Sequence, residues 1–275
     1  MPVAVFDKSQ IKDIQSQPDL RNMPIDRVGV KGVKTPIIVL DKAHKQQHTV
    51  ATVNMYVSLP HHFRGTHMSR FIEVINEYRN QLIGFPKMEH LLARMKEVLD
   101  AEEAHIELEF PYFIEKEAPV SKAKSMMQYM CKFMGTQNDE HQCTLEVQVP
   151  VTTLCPCSKE ISSYGAHNQR SLVTLRARFT GIVWIEDLVR LVEESASAEL
   201  FTLIKREDEK YVTEHAYENP RFVEDVVREV AVKLSKIPQI TWFSVESDND
   251  ESIHNHNAYA VIERDLSHER DGIAG

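Results

Sequence analysis

Residues 143–180 read CTLEVQVPVTTLCPCSKEISSYGAHNQRSLVTLRARFT. Apolar and polar side chains alternate over residues 143–151 and again over residues 171–180, a pattern that is typical of β-strands. Residues 150–170, between these strands, carry little apolar pattern, and structureless connections of about 20 residues are usually functional or disordered. The stretch therefore predicts two strands joined by a long functional loop.

The predicted elements around this loop follow one order twice. The first half has strands at residues 28–40, 48–59, 104–114 and 125–133, with helices at 66–83 and 87–100. The second half has strands at 143–151, 171–180, 240–246 and 258–264, with helices at 185–197 and 220–236. Each half reads ββααββ, although the halves share no obvious sequence identity. Two antiparallel sheets with a helix pair on one face predict the α+β class.

We divide the chain into four parts on this basis. Residues 1–25 are polar, weakly patterned and predicted to form a poorly ordered N-terminal arm. Residues 26–136 form the first ββααββ module, and residues 137–266 form the second, which carries the candidate metal-site motifs. Residues 267–275 form a C-terminal tail.

Composition excludes several classes of protein. Of the 275 residues, 42% are hydrophobic, which excludes general disorder and allows a full core. The net charge of −9, from 32 basic and 41 acidic residues, argues against nucleic-acid binding. No apolar run approaches the roughly 18 residues of a membrane span, and the first residues lack the pattern of a signal peptide. We expect a soluble cytoplasmic protein with no nucleic-acid or membrane partner.

The long loop carries Cys155, Cys157 and His167. Four cysteines are too few for a disulfide scaffold, and a bond across Cys-Pro-Cys would be strained. A thiolate and an imidazole on one loop can bind one zinc-type ion. Cys-x-Cys suits a closed four-ligand site poorly, which favours an open catalytic site with further ligands from elsewhere. The alternative is a buried apolar cysteine and a surface histidine.

Residues 207–225 are predicted to join the two helices of the second half. Glu209 and Glu214 could supply a carboxylate ligand there, and Glu224 opens the following helix, where the helix dipole favours an acid. The alternative is a solvated acidic loop with an ordinary Glu224–Arg228 ion pair.

Residues 245–257 join the last two predicted strands and contain Glu251, His254 and His256. Glutamate and histidine near a metal serve as ligands or as general acid and base. The alternative is a polar hairpin tip.

A basic segment at residues 59–70 leads from a predicted strand into a helix. Arg64, His67 and Arg70 could meet an anionic phosphate at that helix start. The alternative is a histidine-rich surface turn with a helix cap at Thr66.

Three segments together closely resemble the GTP cyclohydrolase IB family: TLCPCSKEISSYGAHNQR at 153–170, GTHMSR at 65–70 and ESIHNHNAYA at 251–260. The resemblance covers residues from about 25 to 265. It implies the tunnelling fold, in which one subunit contains two ββααββ modules. It also implies conversion of GTP to 7,8-dihydroneopterin triphosphate and formate, the first step of folate-type pterin synthesis, by a homotetramer with active sites between subunits.

The resemblance further implies roles for individual residues. It assigns one divalent metal ion, Zn, Mn or Fe, to Cys155, His167 and Glu209. It also implies that the catalytic residues near that ion are Cys155, Glu251 and His254, and that Glu224 holds the guanine edge. Because the triphosphate needs cations, Arg70, Lys159 and Arg170 are our candidates to bind it. We expect Cys155 to be the thiol ligand and Cys157 not to be, since one ion can hardly take both with good geometry.

Two other functions remain open from the residues alone. One is a different tunnelling-fold enzyme acting on a purine or pterin, with Cys155 or Cys157 as a covalent nucleophile. The other is a non-enzymatic metal-binding protein in which the Cys-Pro-Cys loop is a structural clip. The first would survive chelation of metal, and the second would bind metal without turning over GTP.

Overall fold

The computed structural model describes residues 14–15 and 17–267. Within these residues the chain forms ten strands and six helices. The strands are β1 (Ile25–Asp41), β2 (Lys45–Leu59), β3 (Leu82–Ile83), β4 (Ala104–Glu117), β5 (Lys124–Gln137), β6 (His141–Leu154), β7 (Asn168–Phe179), β8 (Ala198–Glu199), β9 (Ile240–Asp250) and β10 (Ala258–Asp265). The helices are α1 (Met68–Glu77), α2 (Phe85–Leu99), α3 (Pro156–Ile161), α4 (Ile185–Glu193), α5 (Arg206–Glu218) and α6 (Val223–Ser235).

The strands form one sheet in the order β10-β9-β7-β6-β5-β4-β2-β1-β3, with β8 beside β6. The long neighbouring strands are antiparallel, and the short β3 runs parallel to β1. The first ββααββ unit contributes β1, β2, β4 and β5, and the second contributes β6, β7, β9 and β10. Pairing of β5 with β6 joins the units, so the two predicted sheets are continuous. The predicted α+β class is confirmed.

The core lies between one face of this sheet and the helices. Every second residue of β2 from Ala51 to Leu59 is buried, because successive side chains of a strand point to opposite faces. Helices α1 and α2 pack on the first unit, and α4 and α6 pack on the second. Helix α2 approaches β5 so closely that a Cβ atom at Gly135 would lie 2.8 Å from Leu92 Cδ1.

The opposite face of the sheet carries a row of charged side chains instead of a core. Lys132 Nζ on β5 lies 3.1 Å from Glu109 and 3.8 Å from Glu146 on the flanking strands. Arg176 on β7 lies 2.6 Å from Glu146 and 3.2 Å from Glu246. Charges of alternating sign on adjacent strands stabilise one another, so this polar row is compatible with a regular sheet.

The prediction of a connector at residues 207–225 is wrong in part, because α5 occupies much of it. The period of apolar residues is weak there, since few side chains of α5 are buried. The helix start is instead attached to the β4–β5 turn by Asp208, which accepts backbone N–H bonds of 2.8 Å from Val120, Ser121 and Lys205. Burial acts to raise the pKa of Asp208, but these bonds and that of the Ser121 hydroxyl hold it well below its usual range.

The long loop is also shorter and more regular than predicted. Strand β6 continues to Leu154, β7 begins at Asn168, and the short helix α3 lies between them. The first helix of the first unit ends at Glu77, not at residue 83, and the chain turns through Asn80, with φ of 63°, before β3. Side-chain periodicity alone does not mark these ends.

Parts of the termini lie outside the described residues, namely 1–13, 16 and 268–275. Within the predicted N-terminal arm, the backbone of Asp19 donates to His62 O, and Gln17 O accepts from the backbone of Arg64. In the described part of the chain, no helix has the length and apolar composition needed to cross a membrane.

Candidate active site

Cys155 and His167 lie opposite each other where β6 ends and β7 begins. Leu154 and Asn168 form the last pair of the ladder, and the next backbone bond runs from Cys155 N to His167 O at 3.1 Å. Ser158 in α3 holds both residues, because its backbone N–H approaches Cys155 Sγ at 3.4 Å and its hydroxyl oxygen accepts from His167 N at 3.0 Å. The thiol and the imidazole therefore belong to one hydrogen-bonded turn.

The two cysteines outside the loop, Cys131 and Cys143, are excluded as nucleophiles and metal ligands by burial. Burial raises the pKa of Cys143 to about 12 and raises that of Cys131 further. A thiol that stays protonated is neither a nucleophile nor a metal ligand. Of the loop cysteines, Cys155 is half-buried beside His167, whereas Cys157 is exposed on α3.

The loop after β9 reaches the same place, because β9 pairs with β7 and brings Asp250 opposite Arg170. Glu251 Oε2 lies 4.0 Å from His167 Nδ1, and these side chains are only 11% and 15% exposed. The Ser252 hydroxyl lies 3.4 Å from the same nitrogen. The structure thus brings together three predicted site residues: Cys155, His167 and Glu251.

Two neighbours of His167 were missed by sequence reasoning. Gln169 Oε1 lies 3.1 Å from His167 Nδ1, and Ser252 is the second. The signal that could have found Gln169 is its position two residues after His167, because residues two apart in an extended chain share a face. Ser252 could not be found in this way, since its contact with His167 spans 85 residues of sequence.

Two cavities lie near these groups. The smaller, about 440 Å³, is lined by Gln169, Arg170 and Glu251 among others. The larger, about 680 Å³, lies between the β4–β5 hairpin, α4 and α5, with Lys116 and Glu193 in its wall. Neither cavity has Cys155 or His167 in its lining, but the smaller one is lined by Gln169, Glu251 and Ser252, whose side chains lie closest to His167 Nδ1. We therefore take the smaller cavity as the candidate site.

In the described part of the chain, the remaining predicted acid–base and ligand residues form no hydrogen bond or ion pair with Cys155 or His167, and none completes a metal-binding group with them. Glu209 on α5 and Glu224 in the first turn of α6 are exposed. Glu224 does not pair with Arg228 in the described chain, where Arg228 instead lies 3.8 Å from Asp225. His254 is exposed, and its ring packs edge-on against His256 at 5.2 Å.

The three candidate phosphate-binding cations have different surroundings. Arg170 is exposed and lines the smaller cavity. Lys159 in α3 donates to Tyr217 O at 2.6 Å and lies over the Tyr217 ring. Arg70 in α1 donates to Val98 O at 3.1 Å, which ties it to the first unit of the described chain and not to this site.

The pair fits a metal ion in its chemistry but does not complete a site alone. A thiol and an imidazole are ligands of zinc-type ions, and a ligating histidine usually donates its other ring N–H to an oxygen acceptor. His167 Nδ1 has such acceptors in Gln169 and Glu251, which leaves Nε2 for an ion. Among the described residues, no group of three or more His, Cys, Asp and Glu side chains lies close enough to hold a metal. At least one further ligand has to join the pair.

Comparison with known proteins bears on what such a site does. The model of the family described as "Type I GTP cyclohydrolase folE2" matches residues 11–260. The chain belongs to this type I GTP cyclohydrolase family. A relative named GTP cyclohydrolase FolE2 from Geobacter metallireducens is 60% identical over 253 residues, covering 92% of this chain and 97% of the relative. Another of that name, from Citrifermentans bemidjiense, is 57% identical over 257 residues, covering 94% and 96%.

Solved structures extend the likeness in fold to more distant proteins. A uricase from Bacillus fastidious has a TM-score of 0.54 at 9% identity, covering 90% of this cyclohydrolase-family chain and 95% of the uricase. A hyperthermostable mutant of the Bacillus sp. TB-90 urate oxidase has a TM-score of 0.52 at 8% identity, covering 88% and 98%. At such identity the likeness concerns the fold alone, and it agrees with the predicted tunnelling fold.

Proposed function

We propose that this chain is a type IB GTP cyclohydrolase of the cytoplasm. It hydrolyses GTP to 7,8-dihydroneopterin triphosphate and formate, at the start of folate-type pterin synthesis. The relatives named GTP cyclohydrolase FolE2 support the substrate. The observation that carries the proposal is the backbone pairing of Cys155 with His167 where β6 ends and β7 begins. Water must add to guanine C8 in this reaction, and such a ligand pair suits metal-assisted hydrolysis.

Cys155, His167 and Glu209 hold one divalent ion, Zn, Mn or Fe, in this proposal. When bound, the ion would supply a water whose pKa is lowered to about 7, as in a typical catalytic zinc site. Cys155 and His167 are adjacent before any ion binds. Glu209 is exposed on α5, and it joins the set when the oligomer assembles.

Chain residues around this pair bind the substrate and move its protons. Glu251, beside His167, exchanges protons with the guanine ring as it opens and formate leaves. His254, at the exposed loop after β9, donates a proton in the later steps. Glu224 accepts two N–H donors from the guanine edge, which selects guanine over adenine. Arg170 and Lys159 bind the triphosphate, and Arg70 does so only across a subunit boundary.

Subunit association completes the site. Ile161, Tyr164 and Ile253 flank the Cys155 turn and are 83%, 101% and 65% exposed. Large apolar side chains exposed together are typical of interaction surfaces. A neighbouring subunit that covers them brings its own charged residues to the same place. We expect a homo-oligomer, and specifically the homotetramer that the family resemblance implies.

Metal depletion and restoration test the proposal. The purified protein is stripped with a chelator and incubated with GTP, and Zn, Mn or Fe is added back singly. Formate and pterin fluorescence should appear only after metal is restored. Turnover that survives chelation would favour a cysteine nucleophile. Stoichiometric metal binding without any GTP turnover would favour a non-enzymatic metal-binding protein.

A further inference from the structure

Gln169 connects the candidate site to the interior of the second unit. Its side chain is nearly buried, with the residue 8% exposed. Its Oε1 lies 3.1 Å from His167 Nδ1, and its Nε2 donates to Thr153 Oγ1 at 3.0 Å. One amide therefore contacts the imidazole with its acceptor end and a buried hydroxyl with its donor end.

The Thr153 hydroxyl fixes which way this amide points. Thr153 is fully buried, and its oxygen also accepts from Asn249 Nδ2 at 3.3 Å. A hydroxyl has two acceptor positions and one donor hydrogen. The amides of Gln169 and Asn249 fill both acceptor positions, so the hydrogen points to Ser171 Oγ at 2.8 Å. In this arrangement the Thr153 hydroxyl uses both of its acceptor positions and its hydrogen, and Gln169 Oε1 is directed to the imidazole.

A second acceptor acts on the same ring nitrogen. Glu251 Oε2 lies 4.0 Å from His167 Nδ1, on the loop that follows β9. The Ser252 hydroxyl lies 3.4 Å from this nitrogen as well and can either donate or accept. The amide oxygen and the carboxylate can only accept, so together they favour a proton on Nδ1. The lone pair of the neutral ring then lies on Nε2, for which no hydrogen bond is found among the described residues.

We propose that Gln169 is a positioning residue, which together with Thr153 holds His167 as the Nδ1–H tautomer. The Nε2 lone pair is then presented to a metal ion before the ion arrives. The inference rests on the proposed function only where it names a metal ion as the group that binds the Nε2 lone pair. The tautomer itself is a property of the metal-free chain and can be measured without GTP.

The tautomer can be read from two-bond ¹H–¹⁵N spectra of metal-free protein labelled with ¹⁵N-histidine. The His167 signals are identified by their loss in His167→Gln. In wild type, with the spectra recorded on the neutral ring, Nδ1 should carry the hydrogen. Gln169→Met keeps the chain length without the amide, and it should raise the Nε2–H population. Gln169→Glu retains an acceptor and should preserve Nδ1–H.

Zinc affinity, measured by chelator competition, supplies the second readout. Gln169→Met should raise the Kd for Zn²⁺ by about 10- to 100-fold, the usual effect of losing a partner of a ligating histidine. Gln169→Glu should restore most of that affinity. Gln148→Met is the matched control, because Gln148 on β6 contacts Glu146 on the charged face at 3.3 Å. It should leave both readouts at wild-type values.

The outcomes separate this inference from the proposed function. An Nε2–H tautomer in wild type, or a tautomer unchanged in Gln169→Met, overturns the inference. So does a changed tautomer with unchanged zinc affinity. If Gln169→Met fails to fold, Thr153→Val repeats the test by removing the orienting hydroxyl. If the proposed function alone fails, no metal-loaded form turns over GTP, yet the tautomer and the zinc affinity follow the expected pattern.

Discussion

Replacing Lys116 by methionine should remove the charged link between the two units. Lys116 on β4 lies 2.8 Å from Glu193 Oε1 on α4, and these side chains are 8% and 9% exposed. Its ammonium also donates to Leu200 O at 2.8 Å and contacts Glu199. Methionine keeps the apolar stem of the side chain but leaves the Glu193 carboxylate buried without a cation.

The expected loss of unfolding free energy is about 3 kcal/mol at about pH 7.5. Breaking a buried ion pair from one side costs about 3–5 kcal/mol, because one charge is left uncompensated. The lower end applies because the Tyr129 hydroxyl still donates to Glu193 at 2.6 Å. Lys124→Met is the matched control, since the Lys124–Glu115 pair is 60% and 52% exposed. Such a surface pair contributes only about 0–1 kcal/mol.

The loss should depend on pH in a definite direction. Burial raises the pKa of Glu193 even with Lys116 present. A folded-state pKa above the unfolded value means that the associated stability is complete below the unfolded pKa and is lost as pH rises through the folded pKa. Without Lys116 the folded pKa rises further. The deficit of Lys116→Met relative to wild type should therefore shrink between about pH 7.5 and about pH 5.5.

Urea unfolding of metal-free protein at one fixed concentration, followed by circular dichroism, measures these differences. Lys116→Met combined with Glu193→Gln should recover part of the stability, because the unpaired charge is gone. A loss no larger than that of Lys124→Met would refute the reasoning. A deficit that grows at the lower pH would refute it as well, since protonation of Glu193 can only relieve the variant.

Three further predictions concern the proposed chemistry. Cys155→Ala should lose bound metal and activity, whereas Cys157→Ala should retain metal, as measured by elemental analysis; equal metal loss in both variants contradicts the assignment. Glu224→Gln should retain metal but lose GTP turnover, because a donor replaces one acceptor at the guanine edge; metal loss with an unchanged KM for GTP argues otherwise. His254→Ala should bind metal and GTP yet react about 10² to 10⁴ times more slowly in single turnover. Loss of metal from this variant would identify His254 as a ligand, and a wild-type rate would show that it is an exposed residue without a role in the reaction.

The local pattern of apolar and polar residues was enough to predict most of the helices and strands. Alternation in β2 and β6 and the apolar period of α6 follow from backbone geometry, so burial of one face appears directly in the sequence. Helix α5 was missed because its stability depends on Asp208 and the distant β4–β5 turn. The α3 turn was missed because it is short and has no buried side chain.

The sequence by itself determined which chemical groups the site can use, because the thiol, the imidazole and the carboxylates follow directly from residue identity. It also determined the family, because these residues lie within long motifs. It also determined the ββααββ order, which is a local property repeated twice. Only the tertiary structure decided that Glu251 and Gln169 meet at His167 while Glu209 and His254 lie exposed. The physical reason is the place of β7 between β6 and β9. Strand order is set by packing of the whole sheet, which the period of any one segment does not encode.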